Sequence, residues 1–269
     1  MRSVMVRPAL KRLHHWTPVV TTFIAIVVAW EVATVAFDIP GYLLPAPTAI
    51  GAAIAEKWPS LVANSWVTLV ESALGLGLSI VLSIPLGILI VYSSWAERVI
   101  YPFLVASQAV PKVALAPIFV VWFGFGLLPK VLIAFFIAFF PIVVNTVVGL
   151  TRTPPEMIHL MRSLGASPVQ ILLRVRMVAA APYIFAGMKI AAAFAVVGAI
   201  VGEYIAASSG LGYMQLVANN NFEIPLLFAT LVVLSAMGIA FFYLVFLAEL
   251  LILPRPLRQS RIDAGGSTL

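Results

Sequence analysis

The sequence predicts an all-α integral membrane protein with six transmembrane helices, and three observations carry that prediction. Of the 269 residues, 62% are hydrophobic and 10% charged, whereas a soluble domain carries about a quarter charged residues. Apolar runs bounded by charge, proline or polar clusters recur at about 17–37, 66–92, 99–125, 130–150, 182–206 and 227–252, each near the roughly 20 residues that cross a bilayer. The basic residues are also segregated. Arg2, Arg7, Lys11 and Arg12, then Arg98, then Arg152, Arg162, Arg174 and Arg176, then Arg255, Arg258 and Arg261 all fall on one side of such a chain, with only Lys57 and Lys130 opposite. Basic loops stay in the cytoplasm, so both termini are expected there.

Residues 1–16 are expected to form a cytoplasmic tail. The apolar run after it is longer than the core of a secretory signal and lacks a small-residue cleavage site, so a retained first span is expected. The connection from Asp38 to Ser65 contains Pro40, Gly41, Pro45 and Pro47, then a mildly amphipathic stretch from Thr48 to Trp58. A simple re-entry connector is favoured there over a helix lying in the outer interface. Pro111, Lys112 and Pro117 interrupt the third span, where a kinked or broken helix is expected. One membrane domain, 17–252, accounts for the chain, with a cytoplasmic elbow at 151–181 and a cytoplasmic tail from 253 to 269.

The elbow carries two helix-start signatures. In Thr153-Pro154-Pro155-Glu156 the threonine is placed to cap, proline to open the helix and glutamate to reach back. Ser167-Pro168-Val169-Gln170 repeats the grammar, and Gly165 is available for a left-handed helix stop between them. Two short helices joined by a tight turn are predicted. Met157, Met161 and Leu164 share a face of the first; Ile171, Leu172 and Val175 lie beside Arg174 and Arg176 on the second. An apolar face rimmed by positive charge calls for a partner, although packing against the inner ends of the spans reads equally well from the residues alone. A DNA-reading helix-turn-helix is disfavoured because both ends are tethered to the bilayer.

Ionisable residues within spans are costly and face the protein interior. Glu31, Glu71, Lys112, Lys189, Glu203 and Glu249 are the ones present. Glu71, Lys189 and Glu249 lie near span ends, where snorkelling or pairing is the ordinary reading. Lys112 between prolines, Glu203 before a glycine-rich loop, and Asn145 in the fourth span are the candidates for a solute pathway, with helix-to-helix bonding the stronger reading of Asn145.

No cysteine is present, histidine is limited to His14, His15 and His159, and neither a metal site nor a cofactor is expected. No Ser/His/Asp set, no His-Glu-x-x-His zinc pattern and no glycine-rich phosphate loop occurs, so the chain is not expected to be an enzyme or to hydrolyse ATP itself. The basic balance is a topology signal, which removes the motive for a nucleic-acid partner. A secondary active transporter working without an ATPase is the alternative transport class; internal repeats with paired interrupted helices, its usual mark, are not evident.

His159-Leu160-Met161-Arg162-Ser163-Leu164-Gly165-Ala166-Ser167 and Ala181-Pro182-Tyr183-Ile184-Phe185-Ala186-Gly187-Met188, with Gly202-Glu203-Tyr204 and Gly210-Leu211-Gly212-Tyr213-Met214, resemble binding-protein-dependent ABC importer permeases. The similarity is to the nitrate/sulfonate/taurine branch, which also serves thiamine-pyrimidine precursors and riboflavin, and it runs from about Leu44 to Pro254. The Glu-Ala-Ala positions of that family's cytoplasmic loop hold His159-Leu160-Met161, its Leu-Pro positions hold Met177-Val178, and its glycine is Gly165.

The resemblance implies a type I importer permease in the inner membrane and a second permease copy as homodimer partner. It further implies two ABC ATPase subunits and an extracytoplasmic solute-binding protein, with lipid around the spans. It also implies that the 153–176 elbow seats in the ATPase, with Glu156, Met157, His159, Met161, Leu164, Gly165, Ala166, Ser167, Ile171 and Arg174 as coupling residues. The solute it implies is a small nitrogen or sulfur compound: a sulfonate, taurine or nitrate, or a vitamin precursor.

Overall fold

A computed structural model describes residues 7–254, with side chains from Pro18 onward. Arg2 and the rest of residues 1–6, and the C-terminal arginines Arg255, Arg258 and Arg261 with the rest of 255–269, lie outside the described residues. All regular structure among the described residues is helical. The helices are α1 (Arg7–Ala36), α2 (Pro47–Glu56), α3 (Trp58–Tyr92), α4 (Ser94–Ser107), α5 (Ala116–Phe123), α6 (Leu127–Thr151), α7 (Pro155–Ser163), α8 (Pro168–Ile171), α9 (Met177–Ala206), α10 (Leu211–Asn220) and α11 (Ile224–Ile252). A 3₁₀ turn, Lys112–Leu115, precedes α5, and a π-helical turn, Leu172–Arg176, joins α8 to α9.

Two compact units result, one from residues up to Leu61 with Gln215–Val232, the other from Val62–Met214 with Val233 onward. In the first, Pro18–Ala36 is apolar enough to span, and Val19, Phe23, Ile26 and Val35 point outward, as lipid-facing residues do. The Glu31 carboxylate accepts from Thr48 N at 3.0 Å and Thr48 Oγ1 at 2.7 Å. Glu31 therefore caps α2 from a distance, satisfying one of the amides a helix N-terminus leaves free. The stretch expected to be a plain connector is thus a ten-residue helix, opened by Pro47 and anchored by a span carboxylate.

In the second unit α6 is the hub. Gly75 of α3 lies on Ala134 of α6 and Gly87 on Thr146, while Ser79 donates to Phe135 O and Ser83 to Phe139 O, both at 3.0 Å. Residue numbers rise together along both helices, so α3 and α6 run in the same direction. Against α9 they run oppositely: Gly202 meets Lys130, Gly198 meets Ala134, Gly187 meets Asn145 and Gly149 meets Ala180. A Cβ at Gly202 would come within 2.9 Å of the Lys130 Cα. Lipid supplies no hydrophobic drive between helices, so close backbone approach through small residues is what holds them.

The α3–α6 direction settles the count of crossings. Five helices are long and apolar enough to span, and α4 with the segment Lys112–Phe123 forms a pair bent by 91°. A chain that descends in α3 and descends again in α6 must return between them. The bent pair is therefore one broken crossing, the sixth, at the position where Pro111 and Pro117 predict it. Gly124 and Gly126, with φ of 75° and 143°, turn the chain from α5 into α6.

Two elements of the elbow depart from expectation. Thr153 does not cap α7; Pro154 is the cap residue, and the buried Thr153 hydroxyl donates to Leu150 O at 3.2 Å, finishing α6 instead. With two prolines in succession, the helix start moves one residue past the threonine's reach. The second short helix is also not separate. From Pro168 the chain continues through the π-helical turn into α9, giving a 39-residue apolar rod to Ala206. At about 1.5 Å per residue this is near 58 Å, well beyond the ~30 Å hydrocarbon core, so its first turns project from the membrane.

Candidate functional site

The elbow is a fixed bend. Ser167 Oγ accepts from Gln170 N at 3.3 Å and the Gln170 side chain accepts from Ser167 N at 2.9 Å, a closed capping box. At the other side of the turn Gly165 has φ of 77°. Its amide donates to Arg162 O and the Ala166 amide to Met161 O, both at 3.0 Å. That is the complete Schellman stop, which needs a residue tolerant of the left-handed region at Gly165.

The apolar face differs from the one the spacing suggests. Met157, Leu160 and Leu164 of α7 and Val169 and Leu173 beyond the turn are exposed, Leu164 at 72%. Met161 is half-buried, and Ile171 and Val175 are buried. The second helix turns its predicted face inward because it is the root of α9: Leu172 and Met177 pack with Leu150, Ala180 and Ile184. Glu156 lies in the first turn of α7 and Arg162 in its last, both favourable to the helix dipole. His159 and Arg174 are exposed and Ala166 is half-buried. Below the elbow, Arg152 stands 5.6 Å from the Tyr183 ring centre and Arg176 5.0 Å from that of Tyr92. These cation–π contacts root both legs of the bend in the spans.

A second constellation closes the opposite end of the same unit. Asn64, Thr68 and Glu71 recur at four- and three-residue spacing on α3, so they share a face. Asn64 Oδ1 accepts from Gly210 N at 2.7 Å and Thr68 Oγ1 from Leu211 N at 2.9 Å. Thr68 Oγ1 donates to Glu203 Oε1 at 2.6 Å, and Glu203 Oε2 accepts from Gly212 N at 2.5 Å. Three successive amides at the start of α10 are thus held by side chains from α3 and α9. Glu203 is 1% exposed, and its carboxyl group caps the Gly212 amide at a helix N-terminus. Beside it the Lys130 ammonium pairs with Glu71. Lys130, counted from sequence as an outer-loop charge, is in fact 6% exposed at the head of α6.

The remaining candidates lie between these ends. Asn145 Nδ2 donates to Pro141 O at 2.8 Å within its own helix, beneath Gly187; among the described residues its bond is within α6 rather than across helices. Lys189 pairs with Glu249 at 2.6 Å, joining α9 to α11, which fulfils the pairing reading of those two residues. Exchanging them, Lys189→Glu with Glu249→Lys, is expected to restore thermal stability in detergent to near that of the parent. Either single change should cost on the order of 3 kcal/mol by leaving like charges together. Equal loss in the double variant would refute the pairing. Lys112, at the broken crossing, places its Nζ 4.2 Å from the Phe140 ring centre.

Apolar helices long enough to cross a membrane, joined by a capped and exposed elbow, are the features of a multi-pass membrane transport protein. Residues 79–257 match the family described as binding-protein-dependent transport system inner membrane component, and the chain belongs to that family. It is an ABC importer permease subunit of the inner membrane. It is 39% identical over 86% of its length to the formylaminopyrimidine transport permease protein ThiX of Halalkalibacterium halodurans, covering 93% of that protein. It is 34% identical over 86% of its length to the riboflavin transport system permease protein RibX of Chloroflexus aurantiacus, covering 87%. The putative aliphatic sulfonates transport permease protein SsuC of Bacillus subtilis is 29% identical over 88% of the chain, with 86% of it covered. The fold superposes on a chain of the inward-facing MetNI methionine ABC transporter with a TM-score of 0.63, over 76% of this chain and 97% of that one, at 21% identity.

Proposed function

We propose that this permease imports a small nitrogen heterocycle, of the formylaminopyrimidine and flavin kind, and that α7 with the Gly165 turn transmits the ATPase stroke. The carrying observation is the exposed Met157, Leu160 and Leu164 face on a helix whose end and whose successor's start are both fully capped. A rigid apolar peg transmits force, whereas a frayed one would absorb it. Similarity rises from the sulfonate permease at 29% to riboflavin at 34% and formylaminopyrimidine at 39%, which favours the heterocycle over a sulfonate. The working complex in this reading is two copies of the chain, two ATPase subunits and an extracytoplasmic binding protein. Both termini and the elbow are cytoplasmic, because twelve of the fourteen Lys/Arg that the sequence places outside its apolar runs lie on that side.

The test is uptake into proteoliposomes holding the whole complex, with labelled formylaminopyrimidine, riboflavin and an aliphatic sulfonate offered separately. ATP-dependent accumulation of a heterocycle, in preference to the sulfonate, is the expected result. Preferential sulfonate uptake would overturn the solute class, and uptake driven by an ion gradient without ATP would overturn the coupling.

A further inference from the structure

The deep ionisable groups of the second unit have partners, with one exception. Glu71 has Lys130, Lys189 has Glu249, and Glu203 has Thr68 and the Gly212 amide. No carboxylate among the described residues pairs with Lys112, whose ammonium has only the Phe140 ring beneath it. Phe140 adjoins the middle residue of α6, a helix that crosses the whole bilayer, so this ammonium stands near mid-depth. An unpaired cation there is expensive, and one aromatic face offsets only part of the cost.

The surrounding backbone adds an independent observation. Lys112 opens the 3₁₀ turn at a 91° break in the crossing, and Ala109, Val110 and Pro111 are exposed. Non-helical backbone at membrane depth persists only where protein covers it or where it lines a water-filled space. Lys112 itself is partly exposed. An ammonium that no acid among the described residues neutralises, at an exposed break, is suited to a water-lined space at mid-membrane.

We propose that Lys112 is a solute-contacting residue of the passage, meeting an anionic or carbonyl oxygen of the solute while the buried Phe140 ring supports the ammonium from the protein side. This rests on the importer reading above and narrows its solute to molecules that carry such an oxygen. Cationic solutes would be repelled at the same point. The lysine suits the task through its compact, mobile charge, which can follow a moving solute without fixing it in one geometry.

The chain has no cysteine, so Lys112→Cys introduces a single thiol. In the complete complex, with its other subunits free of reactive thiols, this variant is expected to take up labelled formylaminopyrimidine or riboflavin about tenfold or more slowly than the parent, the loss of one charge-assisted contact. Treatment with 2-aminoethyl methanethiosulfonate rebuilds an ammonium on nearly the lysine's length and should restore most uptake. The 2-sulfonatoethyl reagent should react equally well and restore none.

Undiminished uptake by the cysteine variant would overturn the proposal. So would a thiol at 112 that neither reagent reaches in nucleotide-free or ATP-trapped complex, since the site would then be a dry contact. Failure of both Lys112→Cys and Lys112→Arg to assemble would make the residue structural and equally end the proposal. A parent complex that moves neither heterocycle sinks the solute class of the preceding section instead, while reagent access at 112 still decides whether the passage runs past it.

Discussion

Gly165→Val is expected to insert and assemble normally yet to lose about tenfold in ATP-driven uptake, with ATP hydrolysis persisting. Nothing lies within 4 Å of where a Cβ would stand on Gly165, so no clash propagates into the spans. The penalty is confined to the backbone: φ of 77° places an L residue in the left-handed region at about 1–2 kcal/mol, more for a β-branched one. Relieving that strain means breaking the two Schellman bonds to Arg162 and Met161, which frees α7 from its fixed angle to α9. One to two kcal/mol is roughly a tenfold change in the population of the rigid bend. Gly165→Asn, which enters this region readily, should retain most uptake. The checking measurement is moles of solute accumulated per mole of ATP hydrolysed in proteoliposomes; an unchanged ratio in the valine variant would end the coupling role of the bend.

Lys130→Met is expected to be the most destabilising single change in the second unit. It leaves Glu71, which is fully buried, without its ammonium and beside a second buried carboxylate, Glu203. Breaking a buried pair by removing one partner costs about 3–5 kcal/mol, a large fraction of a membrane bundle's margin over its unfolded states. The expected result is a large fall in detergent melting temperature, with loss of the monodisperse peak on size-exclusion chromatography. Removing the second charge as well, Lys130→Met with Glu71→Gln, should recover most of it, because the orphaned charge rather than the missing contact carries the cost. If the double variant melts with the single one, Lys130 is held by packing under Gly202 and not by charge.

The legible part of this protein was set by local rules. Long apolar runs end in charge or proline wherever the bilayer ends, and Pro111 with Pro117 breaks a span wherever it sits in the fold. Ser167-Pro168-Val169-Gln170 is its own capping box, and Gly165 its own stop, because all of those bonds close within a few residues. Thr153 failed for an equally local reason, a second proline beside the first. The stripe Asn64, Thr68 and Glu71, at helical spacing in an apolar span, is the sequence signal for the closing constellation.

What remained hidden depends on residues far apart in the chain meeting in space. Ile171 and Val175 look outward on a helical wheel but turn in, since the π-helical turn makes their helix the root of α9. Lys130 looks like a loop charge until α3 brings Glu71 to it, and Glu203 looks open to solute until Gly212 and Thr68 enclose its carboxylate. By itself the sequence determined the membrane class, the apolar runs, the break in the third and the capped elbow, because hydropathy, proline and capping act over one or two turns. Only the tertiary structure decided which of the buried span charges are paired and that Lys112 has no carboxylate partner among the described residues, because charge pairing is set by distances of a few ångströms between helices and no linear spacing encodes them.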